Sequence, residues 1–266
     1  MWKDSVIIAF ALLAGIESII SITAISLGDI IAKWWARLLI IIALYAILTI
    51  LTLILKYIRT KNEITLNIRG INVTIKQGDI FKAKEWKLIP FNTYFDTIVD
   101  DIFISKNSLN GKLILEHLDE NGVEELKLAI AAEDKSSLIK YFDEKTQREK
   151  YPLGRIKVFR GDYMLLAFTN FDEQNEAHTT RAEYETTLRV MWEEISRTYA
   201  DKPIFLPLLG MGIKRFDDMP EKDPMQLLRC ILCTLRTSKF QTNRSITILL
   251  TEDMLSKINL YEFKGV

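Results

Sequence analysis

The chain has 266 residues, with 35 Lys and Arg against 35 Asp and Glu and a formal net charge of +0. That balance argues against nucleic-acid binding, which needs a basic surface. Apolar residues at 48% exclude wholesale disorder, and two cysteines exclude a disulfide scaffold and fit a reducing compartment.

The charges are segregated. Residues 1–60 hold five basic side chains (Lys3, Lys33, Arg37, Lys56, Arg59) and three acidic ones (Asp4, Glu17, Asp29), which leaves 30 basic and 32 acidic for the remainder. Residues 6–27 form an apolar run whose only charge is Glu17, and residues 38–55 carry no charge. Crossing hydrocarbon takes about 20 apolar residues as helix. Both runs therefore read as membrane spans of a transmembrane hairpin over residues 1–61, against the alternative of a buried helical hairpin in a soluble protein. Trp34, Trp35 and Tyr57 fall at interfacial depth. Lys56, Arg59 and Lys61 outnumber Lys33 and Arg37. The positive-inside rule then makes residues 62–266 cytoplasmic and the chain a multi-pass inner-membrane protein. Glu17 at mid-span costs roughly 2.5–3.5 kcal/mol unless it finds a partner or water. No second charge of the hairpin can pair with it, so it reads either as a seam between self-associating hairpins or as a tolerated, protonated carboxyl.

From Ile64 the pattern becomes one of strands and helices. Residues 64–68 and 71–75 alternate strictly around Arg69-Gly70, a hairpin. Short apolar runs at 87–91, 163–169, 204–209 and 246–251 have strand length, and residues 156–159 pair with 163 onward across Arg160-Gly161-Asp162. Tyr184, Leu188, Met191, Trp192, Ile195 and Tyr199 recur at helical spacing. Asp223-Pro224 opens a second helix through Leu235. Residues 124–130 and 135–142 read as further helices. The order predicts an α/β domain, a mixed sheet with helices on both faces, whose ligands bind beyond the carboxyl ends of strands.

Three loops at strand ends can carry chemistry. In Gly78-Asp79-Ile80-Phe81, Asp79 either accepts from an exocyclic amine or caps the next turn. The second is the polar-aromatic stretch 90–101, with Asn92, Thr97, Val99 and Asp100. In the third, Leu209-Gly210-Met211-Gly212-Ile213-Lys214-Arg215-Phe216, the glycines let backbone N–H groups turn toward an anion and the two cations add positive charge, though a glycine pair is also simply a turn. Phe171 lies at another strand end. Cys230 and Cys233 have a zinc-like spacing but sit within one helix without a second ligand pair, which favours a buried-core role. His117 and His178 have no cluster at metal spacing. No metal or cofactor is expected.

Together the three loops resemble the macro domain, the ADP-ribose-binding fold. Gly78-Asp79-Ile80-Phe81 is similar to that family's Gly-Asp-Ile-Thr, whose Asp holds the adenine amine. Residues 209–213 resemble its second phosphate loop, and Thr97-Ile98-Val99-Asp100-Asp101 resembles a remnant of its first. The Asn-Ala-Ala-Asn run of hydrolytic members is reduced to Asn92, and the first-loop glycines are absent, which implies a reader rather than an enzyme. Two membrane spans followed by such a domain resemble the membrane-bound effector of type II Thoeris anti-phage defence. The resemblance implies a partner TIR-domain protein that makes histidine-ADP-ribose, a nucleotide second messenger sensed by the macro domain. Homo-oligomerisation, membrane disruption and abortive infection would follow. A membrane-tethered ADP-ribosyl hydrolase, a generic ADP-ribose reader and an adaptor are the competing readings.

Overall fold

The computed structural model describes residues 34–101, 104–171, 176–212, 215–219 and 221–265, together with residue 11. The chain divides into two compact units, Met1–Asn62 and Glu63–Val266.

In the first unit α1 (Trp34–Asn62) is a helix of 29 residues. It begins before and ends after the apolar run 38–55, because no Gly or Pro interrupts residues 34–62. Leu39, Ile42, Ile47 and Ile50 are exposed on it, as is Trp35. Among the described residues no helix is long and apolar enough to cross a membrane. The span expected at 6–27, with Glu17, and the side chain of Trp34 lie outside the described residues.

The second unit is built on seven strands. They are β1 (Glu63–Ile68), β2 (Ile71–Gln77), β3 (Trp86–Asn92), β6 (Ile156–Phe159), β7 (Tyr163–Thr169), β9 (Ile204–Pro207) and β11 (Ile246–Leu250), in the order β1-β2-β11-β9-β3-β7-β6. The five central strands run parallel, and β1 and β6 pair antiparallel at the edges. Arg69 and Gly70 both take positive φ between β1 and β2, which suits the tight hairpin turn expected there.

Because side chains alternate along a strand, the sheet builds two cores. Leu88 of β3 and Met164 and Leu166 of β7 face α4 (Arg181–Thr198) and α5 (Pro224–Thr237). Ile89 and Phe91 of β3 and Leu165 of β7 face α2 (Leu109–Glu116) and α3 (Glu120–Ala131). The mixed sheet with helices on both faces is thus as the strand pattern implies. The start of α5 is also as read: the Asp223 carboxylate accepts from the Met225 N–H and Pro224 takes the first position.

Two expectations fail. Residues 135–142 form no helix. The Ser136 N–H donates to Asp134 Oδ1 at 2.9 Å and the Leu138 N–H to Ser136 Oγ at 3.1 Å, local bonds that compete with helical ones. The chain instead enters a hairpin of β4 (Tyr141–Asp143) and β5 (Arg148–Lys150). Cys233 is exposed on α5 and so is no core residue, whereas Cys230 is half-buried and packs against the core. A further two-stranded ladder, β8 (His178–Thr179) with β10 (Arg215–Phe216), is invisible in the sequence because two residues give no period.

Candidate functional site

A cavity of about 640 Å³ opens beyond the carboxyl ends of the parallel strands, a volume in the usual range for small-molecule sites. Gly78 to Phe81 follow β2, Asn92 ends β3, Thr169 and Phe171 mark the end of β7, Pro207 ends β9 with Leu208 to Gly212 after it, and Thr251 follows β11. The lining therefore brings together Asp79, Ile80, Asn92, Phe171, Leu209, Gly210, Met211 and Gly212.

Asp79 takes the capping role, and it also lines the cavity. It caps the short 3-10 helix Ile80–Lys82, accepting from the Phe81 N–H at 3.0 Å through Oδ1. The bond orients the carboxylate at the cavity edge. Phe81 stacks on His117, with ring centroids 4.1 Å apart and planes 19° apart, and both rings line the cavity.

Among the described residues of the loop after β9, only Gly210 has positive φ, at +93°. Its α-carbon faces Leu227 and Tyr184, and the Tyr184 hydroxyl donates to the Leu209 carbonyl at 3.0 Å. Gly212 has ordinary φ and open space around it, so its glycine character is not demanded by the backbone. Arg215 is turned away to pair with Glu176 at 2.7 Å, and Phe216 is buried against Tyr184, so neither lines the cavity. Ile213 and Lys214 lie outside the described residues. A cation absent from the expected set, Lys222, donates through Nζ to the Gly212 carbonyl. Burial holds its ammonium below the usual lysine range, and the nearby Arg215 adds to that. It stands ten residues from the glycine it serves, so no local motif could reveal it.

The stretch after β3 differs most from expectation. Thr97, Val99 and Asp100 do not line the cavity. Their loop is drawn outward by the β4–β5 hairpin: Arg148 pairs with Asp96, and the Tyr94 hydroxyl donates to Asp143 at 2.8 Å beneath the Arg148 guanidinium. That bond is the main reason the Asp143 carboxyl falls to about 2. Asn92 reaches the lining, but its Oδ1 accepts from the Tyr94 and Asp96 N–H groups, each at 3.1 Å, and its Nδ2 donates to Asp96 at 2.8 Å. The amide is consumed within its own turn.

The cavity wall on that side is formed by Ile104, Ser105 and residues 107–110 instead, leading into α2. Gly111 of α2 follows directly on this segment. A Cβ there would lie 2.3 Å from the Ser105 carbonyl oxygen, so only glycine lets the turn lie flat on the helix start. Among the described residues no group of three or more His, Cys, Asp or Glu is placed to hold a metal.

Residues 73–251 match the family model "Thoeris protein ThsA, Macro domain". A Thoeris protein ThsA of Bacillus amyloliquefaciens (strain Y2) is 36% identical over 99% of this chain and 93% of its own length. Among solved structures, the Oceanobacillus iheyensis macrodomain with ADP is 14% identical, covering 76% of this chain and 94% of that one with a TM-score of 0.49. A mutant of that macrodomain with ADPR is likewise 14% identical, covering 76% and 96%, with a TM-score of 0.48. By the family model over most of the second unit and the relative matched along nearly its whole length, the chain belongs to the Thoeris ThsA family and carries its macro domain.

Proposed function

We propose that this ThsA-family protein is an anti-phage effector whose macro domain senses an ADP-ribose derivative, histidine-ADP-ribose made by a TIR-domain partner, and responds by oligomerising and disrupting the inner membrane. The observation that carries the ligand reading is the cavity itself, with the oriented Asp79 carboxylate at one strand end and the Gly210 loop at another, its Gly212 carbonyl held by Lys222 from outside the lining. A carboxylate suits the adenine amine, and backbone N–H groups beside a cation suit a diphosphate. The membrane part of the reading is supported by the uncharged run 38–55 and by the apolar side chains exposed along α1, since a large uncovered apolar surface marks a membrane or protein contact. A ligand drives such a change only by binding the assembled state more tightly.

Calorimetric titration of the full-length chain with ADP-ribose and histidine-ADP-ribose tests this. The histidine form is expected to bind more tightly. Asp79→Ala is expected to weaken both on the order of 10- to 100-fold, since a hydrogen bond to a charged group contributes roughly 1.5–3 kcal/mol. Absence of binding by the wild type at millimolar ligand would end the nucleotide reading.

The membrane reading has its own test at Glu17. With the carboxyl in a seam between hairpins, Glu17→Leu changes oligomer size and ligand-triggered dye release from liposomes while leaving nucleotide affinity intact. Unchanged oligomers and release would make Glu17 a passenger.

A further inference from the structure

Two segments that wall the cavity are fastened to each other outside it. Phe171, on the lining after β7, forms an antiparallel bridge with Ala177, and the Ala177 carbonyl accepts from the Arg215 N–H at 2.6 Å. Arg215 opens β10, which follows the Gly210–Gly212 loop. The β8–β10 ladder thus joins the segment after β7 to the segment after β9. It has two residues in each strand, and so short a pair is not stable by its backbone bonds alone.

Side chains hold it. His178 of β8 has Nδ1 2.6 Å from Asp217 Oδ1 and Nε2 3.1 Å from Glu176 Oε2. Arg215 Nη1 donates to the same Glu176 oxygen at 2.7 Å. Both ring nitrogens of His178 therefore face carboxylate oxygens. An ionised carboxylate only accepts and a neutral imidazole carries one N–H, so the two bonds form together only in the imidazolium. The bond from His178 is the main reason the Glu176 carboxyl lies below its usual range, with Arg215 next. His178, Glu176 and Asp217 are between 38% and 51% exposed, so solvent protons reach them. The charged groups of the neighbouring elements have other bonds: Asp218 accepts from the Arg181 N–H of α4, Glu183 of α4 from the Thr179 hydroxyl, and Lys222 donates to the Gly212 carbonyl.

We infer that His178 is a proton-operated clasp: its imidazolium holds β8 to β10, and with them the Phe171 and glycine-loop walls, so that ligand binds more tightly in acid than in alkaline solution. This rests on the ADP-ribose reading above and adds the regulation of that site. The sign follows from the geometry. With the ring charged, both carboxylates are bonded and the walls are in place before ligand arrives. As pH rises through the range in which histidine titrates, the ring loses a proton and turns a lone pair toward one carboxylate. Ordering the walls then opposes binding. By linkage, ligand binding draws a proton onto the protein.

The test is calorimetric titration of the full-length wild type, His178→Gln and His178→Lys with ADP-ribose from about pH 6 to about pH 9. ADP-ribose is the probe because none of its own groups titrates there, whereas the histidine form carries an imidazole. The wild-type Kd is expected to rise about two- to fivefold across the range, the scale of partly exposed ion pairs. His178→Gln, neutral throughout, binds more weakly at the acid end and loses this dependence. His178→Lys, a cation throughout, keeps the acid-end affinity and also loses it. Proton uptake on binding, read as the difference in heat between two buffers at about pH 7, is present in the wild type and reduced in both variants. The chain's other histidine, His117, lines the cavity, so the difference between wild type and variants assigns the effect. Profiles and proton uptake in the variants that superimpose on the wild type's overturn the inference. So does a His178→Lys as weak at the acid end as His178→Gln, which would make the ring and not its charge the requirement. A wild type that binds equally at every pH overturns the clasp alone, whereas one that binds at none overturns the nucleotide reading and the clasp with it.

Discussion

Replacing Gly210 with Val is expected to lower the melting temperature of the protein by several degrees and to abolish nucleotide binding. The backbone at Gly210 has φ of +93°, and an added Cβ meets Leu227 Cδ1 and Tyr184 Cε2 at 3.3 Å. Holding a non-glycine residue in that region costs about 1–3 kcal/mol, and forcing a side chain into a packed core costs a similar amount. For a unit of this size each kcal/mol moves the melting temperature by about 2–4 °C. Relief of the clash by shifting Tyr184 would also strain its bond to the Leu209 carbonyl and displace the loop that lines the cavity. Gly212→Val is the control, since nothing lies within 4 Å of its Cβ position and its φ is ordinary. It should leave the melting curve unchanged and affect binding only by crowding the ligand. Melting curves and titrations on both variants decide the matter. Equal destabilisation by the two would refute the assignment of strain to Gly210.

Replacing Glu194 with Leu is expected to cost about 3–5 kcal/mol of stability at neutral pH, the range for breaking a buried ion pair from one side. The Glu194 carboxylate lies on α4, almost fully buried. It accepts from Arg155 Nη1 at 2.8 Å, Arg197 Nη2 at 3.0 Å, the Ile156 N–H at 3.2 Å and the Ser136 hydroxyl at 2.8 Å. Arg155, itself 4% exposed, also pairs with Asp134. The cluster thus ties the segment after α3, strand β6 and helix α4 to one another. Leucine leaves the Arg155 guanidinium buried with a partner missing, and its Nε already lacks one. Arg155→Met combined with Glu194→Leu is therefore expected to be more stable than Glu194→Leu alone, because it removes the stranded charge.

The same cluster sets an acid limit. Burial raises the Glu194 carboxyl, but bonds from Arg197, Ser136, Ile156 and Arg155 outweigh it and its pKa is lowered. Asp134 is also lowered: burial opposes this, and bonds from the Ser136 N–H and Arg155 prevail. Since the folded values lie below the unfolded ones, about 4.3 for Glu and 3.9 for Asp, their stabilisation is fully present above those values. It is lost as pH falls through the lower folded values. Urea melts of the wild type should therefore fall off steeply below about pH 4, and Glu194→Leu should show a shallower fall from a lower start. A parallel pH dependence in the two would exclude Glu194 from the acid transition.

What the amino-acid order determined alone is what depends on near neighbours. Alternation marks β2, because each side chain's face follows from its parity, and short apolar runs mark β7 and β11, which are covered on both faces. The cap of α5 is legible because Asp223 and Met225 are two residues apart. Gly78-Asp79 and Gly210-Met211-Gly212 are short enough to be read as loops of a macro domain. Tertiary structure decided what depends on distant partners. Arg148, 52 residues from Asp96, pairs with the loop after β3, and a different segment walls the cavity. Asn92 and Asn110 are the same side chain in a sequence, yet one is spent on its own turn and the other is buried without a donor. Arg155 and Glu194 meet across 39 residues because burial makes each the other's necessary counter-ion. Periodicity reports which face a residue occupies, whereas hydrogen-bond satisfaction in a low-dielectric interior is settled only once the whole sheet has brought its loops together.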